Sequence, residues 1–331
     1  MRKIYILVIL SLFILTSCMP QKSTTTINGI ELTGKVILKK VEIHASNENG
    51  FVEPDETIIF AINVFYEDEE GIIAENIITD EYTVEINSEK CALINDDNSV
   101  TINEEILSGN DLVINVNYKE YNAKFEYVIR KNLDNTIDEN GIVVNPQDYD
   151  VVINKVRYLP SDYIPNDLVK LQVPTCLANP EVNQLREIAA DSLEELFAEA
   201  KTQDYNLVAR SGYRSYQTQK ALYNSIVRNK GQAYADKYSA KPGTSEHQTG
   251  LAIDITCPVV SNQLTSGFGD IDEGIWVKEN AYKFGFIIRY PKGKKDIVGY
   301  EYEPWHLRYV GIQLATKIYD SGLTVEEYFA Q

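Results

Sequence analysis

The sequence predicts two domains of different class: an all-β domain of immunoglobulin-like sandwich type over residues 28–132, and an α+β domain over residues 151–331. Three observations predict this. Apolar residues recur at period two from Gly29 to about Lys131. Beyond Pro180 the period becomes helical, and helices and strands are mixed to the end. Charge divides near the same place: residues 19–140 hold 9 basic and 25 acidic side chains, which accounts for 16 of the 18 net negative charges. That net charge argues against nucleic acid as a partner.

The first element is residues 1–18. Arg2 and Lys3 precede an apolar run from Ile4 to Leu15, the length of a signal-peptide core and short for a membrane span. Leu15-Thr16-Ser17-Cys18 follows and resembles a bacterial lipobox, in which the cysteine is lipidated and becomes the first mature residue. An ordinary signal peptide is the alternative. Two acyl chains anchor stably where one does not. A lipidated Cys18 therefore implies a protein tethered to the outer face of the bacterial cell membrane. No later segment is long and apolar enough to span.

Within residues 28–132, strands are expected at Val36–Leu38, Val41–Ile43, Thr57–Phe65, Tyr82–Ile86 and Leu112–Val116. Asn49-Gly50, Glu70-Gly71 and Asn95-Asp96-Asp97-Asn98 supply turns. The antibody-type Cys and Trp are absent, so the sandwich rests on strand spacing. His44 lies in a strand and reads as structural. Glu67-Asp68-Glu69-Glu70 reads as a solvated turn, with calcium binding as the alternative. Residues 133–150 are polar and turn-rich and read as a linker.

In residues 151–331, Pro180 to Lys201 is amphipathic at helical spacing. Leu207–Arg210 reads as a strand. Ser215 is placed to cap a helix running to Asn229. Strands are expected at Leu251–Ile255, Phe286–Tyr290 and Trp305–Val310, and helices at Val277–Phe284 and Gly311–Tyr319. After Cys18, three cysteines remain. Cys176 and Cys257 read either as a disulfide or as free thiols, and no Cys-x-x-Cys spacing suggests a thiolate metal site.

The chain has three histidines, and two lie beside carboxylates in Ser245-Glu246-His247-Gln248-Thr249-Gly250-Leu251-Ala252-Ile253-Asp254 and Glu303-Pro304-Trp305-His306. Imidazole and carboxylate suit a catalytic zinc, which needs three protein ligands and an open fourth position. A loop leading into a strand can bring His247 and Asp254 to one point. His306 is the other histidine of this domain. Glu303 precedes a proline, so it is expected to be extended, and as a carboxylate beside a metal it suits a general base. The same residues also fit a surface acid and a core histidine.

From about Val152 onward the chain resembles the VanY-type zinc D-alanyl-D-alanine carboxypeptidases. The resemblance is carried by Val152-Ile153-Asn154-Lys155, Tyr163-Ile164-Pro165-Asn166-Asp167-Leu168, Ser211-Gly212-Tyr213-Arg214-Ser215 and Gly243 to Asp254. It continues in Gly285-Phe286-Ile287-Ile288-Arg289-Tyr290-Pro291 and Glu303 to Gly311. It covers a little over half of the chain and none of residues 28–140.

The resemblance implies an α+β fold of VanY/hedgehog-like zinc peptidase type. It implies one zinc per chain on His247, Asp254 and His306, Glu303 as general base, and Arg214 facing the substrate oxyanion. It places Ser245 at a substrate-contacting position. Tyr213 and Gln219 are further candidates for the cleft, and Tyr213, Arg289 and Arg308 for a clamp on the substrate carboxylate. The implied substrate is a peptidoglycan stem peptide losing its terminal D-alanine. D,D-cleavage of pentapeptide stems is the first expectation and L,D-cleavage of tetrapeptide stems the second. A non-catalytic wall-binding lipoprotein is the rival from another class.

Overall fold

The computed structural model describes residues 23–331, so the proposed lipidation at Cys18 lies outside the described residues. These residues divide into two compact units. One holds the residues up to Ile106 together with Asn110–Arg130; the other holds Leu107–Gly109 and Lys131–Gln331.

The first unit is all β. Ile37–Ala45, Phe60–Glu67 and Ile73–Ile78 form one antiparallel sheet. Phe51–Val52, Tyr121–Ile129, Asp111–Tyr118 and Thr83–Ile86 form a second, with one parallel pairing at Phe51–Val52. Thr57–Ile58, Val100–Ile102 and Ala92–Ile94 form a third. Period two sets the faces: Phe60, Ile62 and Val64 are buried with Leu112, Ile114 and Val116 in one core.

Two expectations change here. The run Thr57–Phe65 is two strands in different sheets, because Ile59 turns outward and its N–H donates to Ser46 Oγ at 3.0 Å. The acidic turn is not simply solvated. Asp68 is buried and its carboxylate accepts from the N–H groups of Thr33, Glu70 and Ile72, each at 2.9 Å. His44 sits beside Glu42 and Glu48 with its side chain 43% exposed.

Residues 133–150 are not a free linker. Lys131 bridges Asp148 at 2.7 Å and Asp150 at 2.8 Å. Ile137 and Val143 pack with Val151, Ile153, Leu159 and Tyr163. The polarity that suggested a linker belongs to a hydrogen-bonded lead-in folded into the second unit.

The second unit is built on four antiparallel strands: β1 (Val208–Ser211), β2 (Ala252–Thr256), β3 (Phe286–Tyr290) and β4 (Glu303–Tyr309), in the order β1-β2-β4-β3. Helix α1 (Glu187–Thr202) packs Ala189, Leu193 and Leu196 against Ile253, Ile255 and Leu307. The expected helix start at Pro180 is late because Gln184–Arg186 pairs with Leu168–Lys170 as a hairpin. Helix α2 (Tyr216–Lys230) is capped by Ser215 as the sequence indicates, Oγ accepting the Thr218 N–H at 3.2 Å. It is followed by α3 (Gln232–Tyr238), α4 (Asp272–Asn280), α5 (Lys295–Val298), α6 (Ile312–Ser321) and α7 (Val325–Phe329).

Cys91, Cys176 and Cys257 are free thiols. Cys257 is in the core at the end of β2, whereas the Cys176 thiol lies beside the Arg210 guanidinium at 3.9 Å. Among the described residues no helix is long and apolar enough to cross a membrane.

Candidate active site

The site grows out of strand alternation. On β2 and β4, Ile253, Ile255 and Leu307 point into the core under α1. Their neighbours Asp254, His306 and Arg308 therefore share the opposite face. The register pairs Asp254 directly with His306, and Ser211 of β1 with Asp254. Both faces of this sheet are buried: Asp254 is 5% exposed and His306 4%.

His247 reaches the same point from a short 3-10 turn, Glu246–Thr249, just before β2. The turn ends at Gly250, whose φ of +69° is left-handed, and a Cβ there would lie 2.9 Å from Arg186 Cγ and Leu168 Cδ2. Gly212 is held as closely: a Cβ on it would sit 2.3 Å from the Gln184 carbonyl oxygen. That close approach seats the Gly212 carbonyl 2.8 Å from His247 Nδ1. Nδ1 is thereby the donor, and Nε2 is left with its lone pair facing Asp254 Oδ2 at 3.4 Å.

His306 presents the other nitrogen. Its Nδ1 lies 3.0 Å from Asp254 Oδ1 and 3.9 Å from Glu303 Oε2. One donor atom from each of His247, Asp254 and His306 falls within 4.8 Å of the others. Two imidazoles and one carboxylate, all buried and all aimed at one point, fit a zinc site that leaves a position open.

Electrostatics follow from burial and crowding. Burial pushes the His247 pKa down to about 3, with Arg214 adding to the effect against Asp254. Burial also opposes charge on His306, but Asp254, Glu246 and Glu303 outweigh it and raise its pKa to about 9. Asp254 is held below the usual carboxylate range because the two histidines and Arg214 overcome its burial. Glu303 stands at the start of β4, extended as its proline neighbour requires, with 28% of its side-chain surface exposed. Burial, reinforced by Asp254, raises its pKa to about 7. It is thus the carboxylate of the group best matched to proton transfer near neutral pH.

Arg214 faces the same carboxylates and is partly buried; desolvation lowers its pKa against the pull of Asp254, Glu181 and Glu303. Its Nη1 donates to Gln219 Oε1 at 2.8 Å and its Nη2 to Ser211 Oγ at 3.0 Å. Gln219 is therefore a buried support for the guanidinium, and its own amide donates to the Ala240 carbonyl at 2.6 Å. Tyr213 is buried, with its N–H bound to the Gln184 carbonyl. Ser245 is buried at the head of the 3-10 turn, its carbonyl accepting from Gln248 N–H.

A family model described as VanY, D-alanyl-D-alanine carboxypeptidase, matches residues 182–312, all within the second unit. Putative carboxypeptidase YodJ of Bacillus subtilis (strain 168) is 47% identical over 194 residues, covering 58% of this chain and 71% of YodJ. The chain belongs to the VanY family. A D-alanyl-D-alanine carboxypeptidase of Enterococcus faecalis is 37% identical over 187 residues, covering 54% of this chain and 64% of that protein. The solved structure of the LdcB LD-carboxypeptidase shares 47% identity, covers 59% of this chain and 91% of that one, and superposes with a TM-score of 0.57.

Sequence reasoning missed one member of the site and misplaced two others. Glu246 is 2% exposed beside His306. Arg289 and Arg308, candidates for a substrate clamp, are each 1% exposed and bind Glu246 instead. The signal for Glu246 was its place next to His247, but a lone glutamate in a turn gives no hint of burial.

Proposed function

We propose that this chain is a zinc carboxypeptidase that removes the terminal D-amino acid from peptidoglycan stem peptides. The observation that carries the reading is the convergence of His247 Nε2, Asp254 and His306 Nδ1 beside Glu303 and Arg214. His247, Asp254 and His306 would hold one zinc per chain. When bound, zinc polarises carbonyl oxygens and brings the pKa of water to about 7. Glu303 takes the proton from the attacking water and hands it to the leaving amine, a role its pKa of about 7 supports. Arg214, fixed by Gln219 and Ser211, offers its guanidinium to the oxyanion that develops on the carbonyl.

The comparisons bear on which bond is cut. The LD-carboxypeptidase LdcB shares 47% identity with this chain and the Enterococcus faecalis D-alanyl-D-alanine carboxypeptidase 37%. This supports L,D-cleavage of tetrapeptide stems as the first reading and D,D-cleavage of pentapeptide stems as the second. The lipobox-like segment supports attachment through Cys18 to the outer face of the membrane, where the wall peptide is met.

The test is mass spectrometry of defined tetra- and pentapeptide muropeptides incubated with the full chain in detergent. Loss of one alanine from the tetrapeptide alone is the expected result. Loss from the pentapeptide alone would reverse the assignment of the bond. No release from either, with zinc bound, would overturn the enzyme reading in favour of a wall-binding protein.

A further inference from the structure

Glu246 is the least expected group in the second unit, a carboxylate sealed from solvent. Its Oε1 accepts two guanidinium hydrogen bonds, from Arg289 Nε at 2.8 Å and Arg308 Nη1 at 3.0 Å. Its Oε2 is buried without a hydrogen-bond partner, and so is His306 Nε2. The two atoms face each other at 3.5 Å. Buried polar atoms are rarely left unpaired, and these two, each without a hydrogen-bond partner, face one another.

The two arginines are anchored by other groups as well. Arg289 grips both oxygens of Glu326 with Nη1 and Nη2, at 2.9 and 2.5 Å. Arg308 spends Nη2 on the carbonyls of Tyr149 and Val151 and Nε on that of Tyr309. The two arginines thus pin Oε1 and leave Oε2 directed at the imidazole. The Tyr290 ring, 4.8 Å from the His306 ring, packs against it.

We propose that Glu246 is a positioning residue for His306: its Oε2 accepts the Nε2–H, fixing the ring and the tautomer that offers the Nδ1 lone pair to a metal. The site then uses two devices for two histidines. A backbone carbonyl, that of Gly212, sets His247 to bind through Nε2. A carboxylate sets His306 to bind through Nδ1. Carboxylate support of this kind orients a metal-binding histidine and raises its basicity, and its loss costs about 10–100-fold in metal affinity. The inference rests on the reading of His306 as a metal ligand.

The test uses the full chain in detergent, with zinc itself as the probe. Zinc affinity is measured by competition with a chelator for the unsubstituted protein, Glu246→Gln, Glu246→Asp and His306→Ala. Nitrogen-detected NMR reads the His306 tautomer in the zinc-loaded unsubstituted protein, where three histidines keep assignment simple. The expected results are an Nε2–H tautomer at His306 and zinc binding weakened about 10–100-fold in Glu246→Gln. Glu246→Asp keeps the charge for the arginines but withdraws from the ring, and is expected to weaken zinc while unfolding cooperatively.

An Nδ1–H tautomer at His306 would overturn the proposal, as would undiminished zinc affinity in a folded Glu246 variant. If neither variant folds, the tautomer in the unsubstituted protein decides. His306→Ala separates the two levels. Retained zinc there sinks the ligand assignment itself. Lost zinc there, with full affinity in Glu246→Gln, sinks only the role of Glu246.

Discussion

Both units of this chain are built from antiparallel strands with the same two-residue alternation, but they treat the face turned from the core in opposite ways. In the first unit that face is largely open: Ile73 and Ile77 on Ile73–Ile78 are 45% and 54% exposed, and the Lys124–Glu126 pair is exposed on both sides. In the second unit the off-core face of β2 and β4 is covered, and it carries Asp254, His306 and Arg308. Covering charged groups costs stability unless each is paired. The second unit meets that demand with arginine–carboxylate contacts at Glu246, Arg289 and Glu326. The lesson is that a surplus of surface acid says little about chemistry, whereas buried ionisable groups on one sheet face mark where it happens.

The sharpest way to break this contrast is to remove one carboxylate from each unit and read turnover. Glu303→Ala is expected to lower kcat about 10²–10⁴-fold while zinc content stays at the unsubstituted level. Glu75, on an exposed position of the first unit, is expected to tolerate Glu75→Ala with unchanged turnover. Near-normal turnover in Glu303→Ala would remove the general-base assignment.

Stability should separate the units as well. Arg289→Met leaves the buried Glu246 with Arg308 alone and strips the half-buried Glu326 of its guanidinium, and the expected loss in urea unfolding is about 3–5 kcal/mol. A loss under about 1 kcal/mol would mean that the cluster is solvated in solution and that the off-core face is not sealed.

Much of this plan was legible from residue order. The halves showed in period and charge, Ser215 showed its cap, and the segments of β2 and β4 that carry Asp254 and His306 read as strands. The lead-in at 133–150 was not legible, because polar turn residues look the same whether they hang in solvent or satisfy a buried Asp150. Glu246 was hidden for a related reason. Its burial depends on two arginines 43 and 62 residues away in sequence, and no local pattern encodes a partner that distant. The break at Ile59 was hidden because a strand that changes sheets keeps its apolar alternation.

A smaller effect follows from Glu303 in the metal-free protein. Its pKa is raised to about 7 by burial and by Asp254, above that of an unfolded glutamate. A carboxyl raised in this way costs stability once it ionises. The cost is full above the folded pKa and fades as pH falls through 7 toward the ordinary glutamate value. Glu303→Gln, which cannot ionise, is expected to stabilise the metal-free chain at pH 8 by about 1–3 kcal/mol. The gain should vanish near pH 5. Denaturant unfolding of both proteins across that range checks the sign, and a gain that grew toward acid pH would contradict the burial of Glu303.

The smallest expected effect tests the other side of the contrast. Lys124 and Glu126 lie two apart on one strand, with 57% and 67% of their side-chain surfaces in solvent. Water already stabilises both charges, and salt screens what attraction remains. Lys124→Met should therefore change unfolding free energy by less than about 1 kcal/mol, and raising the salt should shrink even that. A loss as large as that of Arg289→Met would show that the first unit also depends on its ion pairs. The division between a face that displays charge and a face that encloses it would then fail.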